Sequence, residues 1–303
     1  MAHKLFPFLC LLWLSHSALA QDFQQDFENY MSIGDTNQQR IILNNWEHHN
    51  PKDPEYFVSY FNFCFNNAKR VSLQLNQSGA VNGEGLSITD SSGNDAGFIG
   101  EGIAYDMDLL QEGLEKIQAG ILLYPNRLDM RFGKIFALGE ARLWDAFTQE
   151  IVSTIQYSTK NGNEWLWKKN EKVANPKQVF LGALQDYEVT LYDTQNDSLL
   201  KNMRRVAEEV LKFYPGHMES LTNLAISYIL EKQYAKAIPY LERADKDNPN
   251  NGVVLSNMAY VLELMNDYPK SILYYEKMMK LPDADAQQFA AGRIEALKMK
   301  QKK

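Results

Sequence analysis

The stretch LTNLAISYILEKQYAKAIPYLE, residues 221–242, lines up with LSNMAYVLELMNDYPKSILYYE, residues 255–276, when the chain is slid against itself by 34 positions. Leu221, Asn223, Ala225, Leu230 and Tyr234 fall on Leu255, Asn257, Ala259, Leu264 and Tyr268. Lys236, Ile238, Tyr240 and Glu242 fall on Lys270, Ile272, Tyr274 and Glu276, making nine identities. Pro215 falls on Pro249. Leu221, Leu224, Ala225 and Tyr228 lie on one side of a helix of 3.6-residue period, and Ala237, Leu241 and Ala244 give the next helix its own apolar stripe. Proline then stops each pair, because it cannot continue a helix. The reading is two helix hairpins in tandem, with Ala225 and Ala259 small where the second helix approaches. Pro239 sits inside a predicted helix and should kink it slightly.

The period and these residues resemble the tetratricopeptide repeat family. The pattern reads Leu221, Leu224-Ala225, Tyr228, Ala237, Leu241 and Pro249 in one unit. In the next it reads Leu255, Met258-Ala259, Leu262, Ser271 and Tyr275, with Pro282 one place early. The resemblance is clear over residues 216–282. It implies an all-α, right-handed solenoid whose concave groove holds a protein or peptide partner.

Worn versions of the same grammar run upstream. Asp22–Ile33 and Thr36–His49 read as one pair, with Thr36 as N-cap. Glu55–Arg70 pairs with Asp106–Leu123, Arg127–Leu138 with Trp144–Tyr157, and Lys177–Tyr192 with Ser198–Phe213. About six antiparallel pairs result, closed by a capping helix, Asp283–Met299. The organisation expected is N-terminal helices at 21–70, a Gly-rich insertion at 71–103, degenerate pairs at 104–215, the two clear units at 216–282 and a cap with a basic tail at 283–303.

Two stretches break the period. The first, 71–103, contains Gly79, Gly83, Gly85, Gly93, Gly97, Gly100 and Gly102. Its alternating Val71–Leu75 and Leu86–Thr89 suggest a small hairpin or flap. The second, 161–176, carries Trp165 and Trp167 outside any regular repeat position. They either plug the array's own core or anchor a partner, since aromatic residues dominate binding hot spots.

At about 100° per residue, Glu219, Asn223, Ile226, Ser227 and Leu230 fall opposite the core side of the fifth pair. Val253, Asn257, Tyr260, Val261 and Leu264 do so in the sixth. Asn223 and Asn257 thus recur at one height on a face expected to be exposed. The resemblance implies that such an Asn bonds a ligand's backbone, and its amide offers both donor and acceptor. The third and fourth pairs have Gly133 and Val189 there, so the grip is expected in the last two pairs, with Ile226, Tyr260, Trp165 and Trp167 as further contacts.

No catalytic equipment is legible. His48, His49 and His217 form no His-Glu-x-x-His pair, and neither a nucleophile elbow nor a phosphate loop is present. Asp90, Ser92, Asn94 and Glu101 occupy the first, third, fifth and twelfth places of a calcium loop, but Asp95 stands where glycine is required. No cofactor or metal is expected. A carbohydrate-binding or enzymatic site built from the 71–103 and 161–176 insertions is the alternative. The formal charge of −7 and the lack of a Lys/Arg stripe argue against nucleic acid. Lys298, Lys300, Lys302 and Lys303 read as a solvated helix end.

The chain opens with Lys4, an apolar run Leu5–Leu14 and Ala18-Leu19-Ala20, the form of a secretory leader over 1–20. The apolar run is shorter than the roughly 20 residues a bilayer demands. Export to the periplasm, cell surface or medium is expected, with no membrane insertion of the mature chain. Cys64 is then the one cysteine left, buried among aromatic residues and without a disulfide partner. Intact mass of the native protein should place its first residue at Gln21. A mass retaining Met1–Ala20, or carrying lipid on Cys10, would overturn the leader.

Overall fold

Six helix pairs follow one another, because each pair has apolar stripes that only a neighbour can cover. The computed structural model describes residues 22–76 and 86–301, so the leader expected over 1–20 lies outside the described residues. The pairs are α1 (Phe23–Ser32) with α2 (Thr36–His49), α3 (Pro54–Ala68) with α4 (Met107–Leu123), and α5 (Leu128–Glu140) with α6 (Trp144–Lys160). They continue as α7 (Pro176–Asp193) with α8 (Leu200–Phe213), α9 (Met218–Leu230) with α10 (Tyr234–Asp247), and α11 (Gly252–Leu264) with α12 (Tyr268–Met278). α13 (Ala284–Gln301) closes the stack, burying Ala290 and Leu297 with Leu255 and Tyr275. Along the array α9 touches both α7 and α11, so first helices stack on first helices.

Five of the helix starts are set by acidic caps. Asp22, Asp35, Asp53, Asp106 and Asp267 each accept a backbone N–H of their own first turn. Thr36 is therefore not the cap of α2. Asp35 holds that place, accepting from Gln38 N at 2.9 Å, and Thr36 is the first helical residue. Pro239 lies on the exposed side of α10, where the helix runs on through it.

The first insertion becomes a three-stranded antiparallel sheet of β1 (Lys69–Asn76), β2 (Leu86–Thr89) and β3 (Asp95–Tyr105). Its order is β1-β3-β2. The expected hairpin partners, Val71–Leu75 and Leu86–Thr89, do not touch each other; the glycine-bearing β3 lies between them. The long ladder that β3 forms with β1, from Lys69↔Tyr105 to Asn76↔Phe98, exceeds anything the short β2 could offer. Directly opposed residues share a face, and Val71, Leu86, Ile99 and Ile103 remain exposed on one of them.

The sheet leaves and rejoins the helices at one point, where Asp106 N donates to Ala68 O at 2.8 Å. α3 and α4 thus pack as an ordinary pair across the interruption. Gly113 and Gly120 allow it: a Cβ on either would come within 2.7 Å of Cys64 Cβ or 2.8 Å of Phe57 Cβ. Burial pushes the Cys64 thiol up to about 12, so it stays protonated and inert.

The second insertion is pinned from below. Leu166 N donates to Asn126 O at 2.8 Å, and Leu128 N donates to Leu166 O at 2.9 Å. Arg127, wholly buried, donates to Glu55 at 2.8 and 3.3 Å and to Asp129 at 2.8 and 2.7 Å. Glu55 Oε1 also accepts Lys169 N of the insertion at 2.8 Å. Two helix N-termini therefore meet on a single guanidinium, and the loop joins them through Glu55.

The two tryptophans divide. Trp165 is 1% exposed, packed between Tyr157 and Phe180 at ring separations of 5.9 and 5.6 Å. Trp167 is 41% exposed and meets only the edge of Phe132 among the described aromatic contacts. Trp165→Ala should lower unfolding free energy by about 3–5 kcal/mol, and Trp167→Ala by under about 1 kcal/mol. Urea denaturation of the two variants checks the asymmetry, and equal losses would refute it.

Candidate functional site

α9 and α11 are each flanked by their own second helix, by the second helix of the pair before, and by a neighbouring first helix. The free stripe is correspondingly narrower than half the helix. That is why only part of the face expected from helical geometry is free. Leu230, Val253 and Tyr260 are exposed, while Ile226, Asn257 and Leu264 are half-buried. Ser227 and Val261 are buried, and the Ser227 hydroxyl donates to Leu224 O at 2.7 Å. Gly133 is a contact point, not a groove position: a Cβ there would lie 3.3 Å from Phe61 Cε1.

Asn223 departs furthest from expectation. It is buried, because α7 lies over it. Its Nδ2 donates to Gln185 Oε1 at 2.7 Å and to Glu188 Oε2 at 2.8 Å. Its amide is therefore spent on joining α7 to α9, while the half-buried Asn257 has no such clamp among the described hydrogen bonds. The repeat predicts equivalence; the neighbouring helix removes it.

Glu188 was missed in the sequence, although a signal for it was there. It interrupts the stripe Phe180, Leu184, Glu188, Leu191, whose four members are all buried. Burial pushes its carboxyl up to about 8, with the Asn223 amide pulling the other way and the charge of Glu219 adding to the rise. Glu188 Oε1 finds no hydrogen-bond partner in the protein among the described residues. At neutral pH the group is mainly a neutral acid.

Beside this joint lies a cleft of about 870 Å³. Its walls are Asn163 and Asn175 of the second insertion, Lys177, Gln178, Gly182, Gln185 and Asp186 of α7, and His217 and Glu219 at the start of α9. His217 is the N-cap of α9: its Nδ1 accepts Ser220 N, and its Nε2 lies 3.3 Å from Glu219. Burial holds the His217 imidazole below its ordinary range, opposed by Glu219. The Lys177 ammonium sits 5.2 Å above the Tyr214 ring. The sequence offered no pointer to this cleft, since its walls come from three separate elements.

The other chemical candidates resolve into local structure. Asp90 Oδ1 accepts Ser92 N and Asn94 N at 2.8 and 2.9 Å, closing a turn between β2 and β3. His48 and His49 bond the carbonyls of Asn44 and Asn45 at the end of α2.

No protein-family model matches the chain, and no curated protein matches it in sequence. Solved structures do. One is Pseudomonas aeruginosa PilF, 11% identical, covering 89% of this chain and 96% of its own, at a TM-score of 0.37. A tetratricopeptide repeat protein of Parabacteroides merdae is 9% identical over 93% of this chain and 88% of its own, also at 0.37. A thermophilic tetratricopeptide protein of Thermus thermophilus is 13% identical over 90% and 97%, at 0.28. At such TM-scores nothing about ligands follows.

Glu188 carries a pH signature. Its folded-state pKa lies above the unfolded value, so the folded chain holds the proton longer. Stability is full below the unfolded value and declines as pH rises towards the folded one. From about pH 5 to about pH 8 the loss should be on the order of 3 kcal/mol. Glu188→Gln, neutral throughout, should lack this decline, so the difference between wild type and variant should grow with pH. A difference independent of pH would refute the neutral-acid assignment. The fold that frames this joint is tetratricopeptide-like, on the strength of the chain's own 34-residue period and the packing of its helix pairs.

Proposed function

We propose that the chain is an exported interaction scaffold that holds an extended protein or peptide segment along the free stripe of α7, α9 and α11. One observation carries this reading. Large apolar side chains stay exposed on successive first helices: Val189 and Tyr192 on α7, Leu230 on α9, Val253 and Tyr260 on α11. The three helices are neighbours in the array, and exposed apolar side chains that recur on neighbouring elements favour an interaction face. The stripe crosses several helix pairs, which suits a segment that runs along the array. Among the described residues no helix is long and apolar enough to cross a membrane. The leader over 1–20 supports placing the scaffold outside the cytoplasm.

The carbohydrate alternative is weakened. Of the two aromatic platforms it would use, Trp165 lies in the core, leaving Trp167 alone with Phe132. No catalytic role is proposed.

A displayed library of short random peptides, selected on the folded chain, tests the reading. Selected peptides should bind the Leu230→Glu, Tyr260→Glu double variant at least about tenfold more weakly. Both residues are exposed, so thermal stability should barely change. Equal affinity for the double variant would sink the assignment of the stripe. Selection of no peptide, with binding on a glycan array, would sink the scaffold itself.

A further inference from the structure

The cleft between the second insertion, α7 and the start of α9 differs from the apolar stripe in kind. Its polar groups are not used up by the fold. Gln185 gives its carbonyl oxygen to Asn223, which leaves its own amide N–H free to donate. Asn175 and Gln178 line the same wall with no hydrogen bond from their side chains among those described. Asp186 is exposed and has no ion-pair partner among the described residues, and Glu219 stands opposite on α9 beside His217. The one lysine of the wall, Lys177, is drawn over the Tyr214 ring.

Gly182 is the second observation. It sits within α7, where glycine disfavours the helix by about 1 kcal/mol relative to alanine. No turn requires it, and a Cβ there would meet nothing within 4 Å. Packing therefore does not explain it. It leaves bare helix backbone on the cleft wall, where another main chain can approach closely.

These features select among ligands. No Trp, Tyr or Phe lines the cleft among the described residues, so the stacking platform of a sugar site is missing. The two carboxylates oppose an anion. Amides offering both donors and acceptors suit a peptide backbone, and the carboxylates suit a cationic side chain. An overall charge of −7 favours the approach of such a segment.

Resting on the scaffold reading, we infer that this cleft takes a basic peptide segment, its backbone against Gly182 and the Gln185 amide and its Lys or Arg side chain between Asp186 and Glu219. The second insertion, absent from the two regular units, builds one wall of the site and so confers a specificity that the repeats alone lack.

The test uses the same displayed random peptides on the full chain, with affinities read by fluorescence anisotropy. Selected peptides should carry Lys or Arg and weaken with added salt. They should lose at least about tenfold in affinity on Gly182→Trp, which fills the cleft, and on Asp186→Lys, which reverses its charge. Asp186 is exposed, so its variant folds even should the tryptophan disturb α7. Peptides lacking basic residues, or affinities untouched by both variants, overturn the inference. Loss only in the Leu230, Tyr260 double variant overturns the cleft and leaves the scaffold standing. Loss only in the two cleft variants supports the cleft and removes the longer stripe. Selection of no peptide removes both.

Discussion

One buried cation holds the irregular part of this molecule to the regular part. Arg127 lies at the turn between α4 and α5, with its guanidinium shared by Glu55 and Asp129. Both carboxylates stand in the first turns of their helices, α3 and α5, where the helix dipole favours negative charge. The pair with two acids keeps Arg127 firmly protonated against the penalty of burial. Buried ion pairs of this kind often add little net stability over an apolar replacement. Their effect is geometric: an unpaired partner would be an uncompensated buried charge, at a cost of about 3–5 kcal/mol. Helices and loop must therefore meet in one arrangement.

The second insertion depends on that arrangement. Glu55 accepts the backbone of Lys169, Leu166 bridges to Arg127, and Trp165 drops between Tyr157 and Phe180. A loop thus becomes a rigid wall, and α7 begins directly from it at Pro176. The cleft inherits its shape from this chain of contacts. At its far side the Asn223 amide joins Gln185 and Glu188 of α7 to α9. A neutral buried acid at that joint gives the α7–α9 contact a directional bond where apolar packing alone would allow sliding.

The first insertion obeys a different logic. Its strands open and close against each other at Lys69 and Tyr105, so the sheet adds itself to the array without parting α3 from α4. Glycine-driven contact between those helices, at Gly113 and Gly120, is what the interruption had to preserve. The sequence reading missed the strand order because glycines in β3 look like turn residues when no partner strand is in view. Hydrogen bonding to two neighbours made that segment a strand.

The sequence by itself determined the period and the pairing of helices, and it placed the helix ends to within about three residues. Those follow from local apolar spacing, prolines and caps, which act within one or two turns. A charge within an apolar stripe, Glu188, also stood in the sequence, but its burial is evident only once α7 is packed against α9. What only tertiary structure decided was the fate of side chains whose surroundings come from distant segments. Asn223 and Asn257 are identical in the repeat, yet one is clamped beneath α7 and the other is not. Trp165 and Trp167 stand two residues apart, yet one is core and the other surface. Burial is a property of neighbours. Neighbours in a solenoid are set by the stacking of whole pairs and by an insertion pinned through Arg127, which no local pattern encodes.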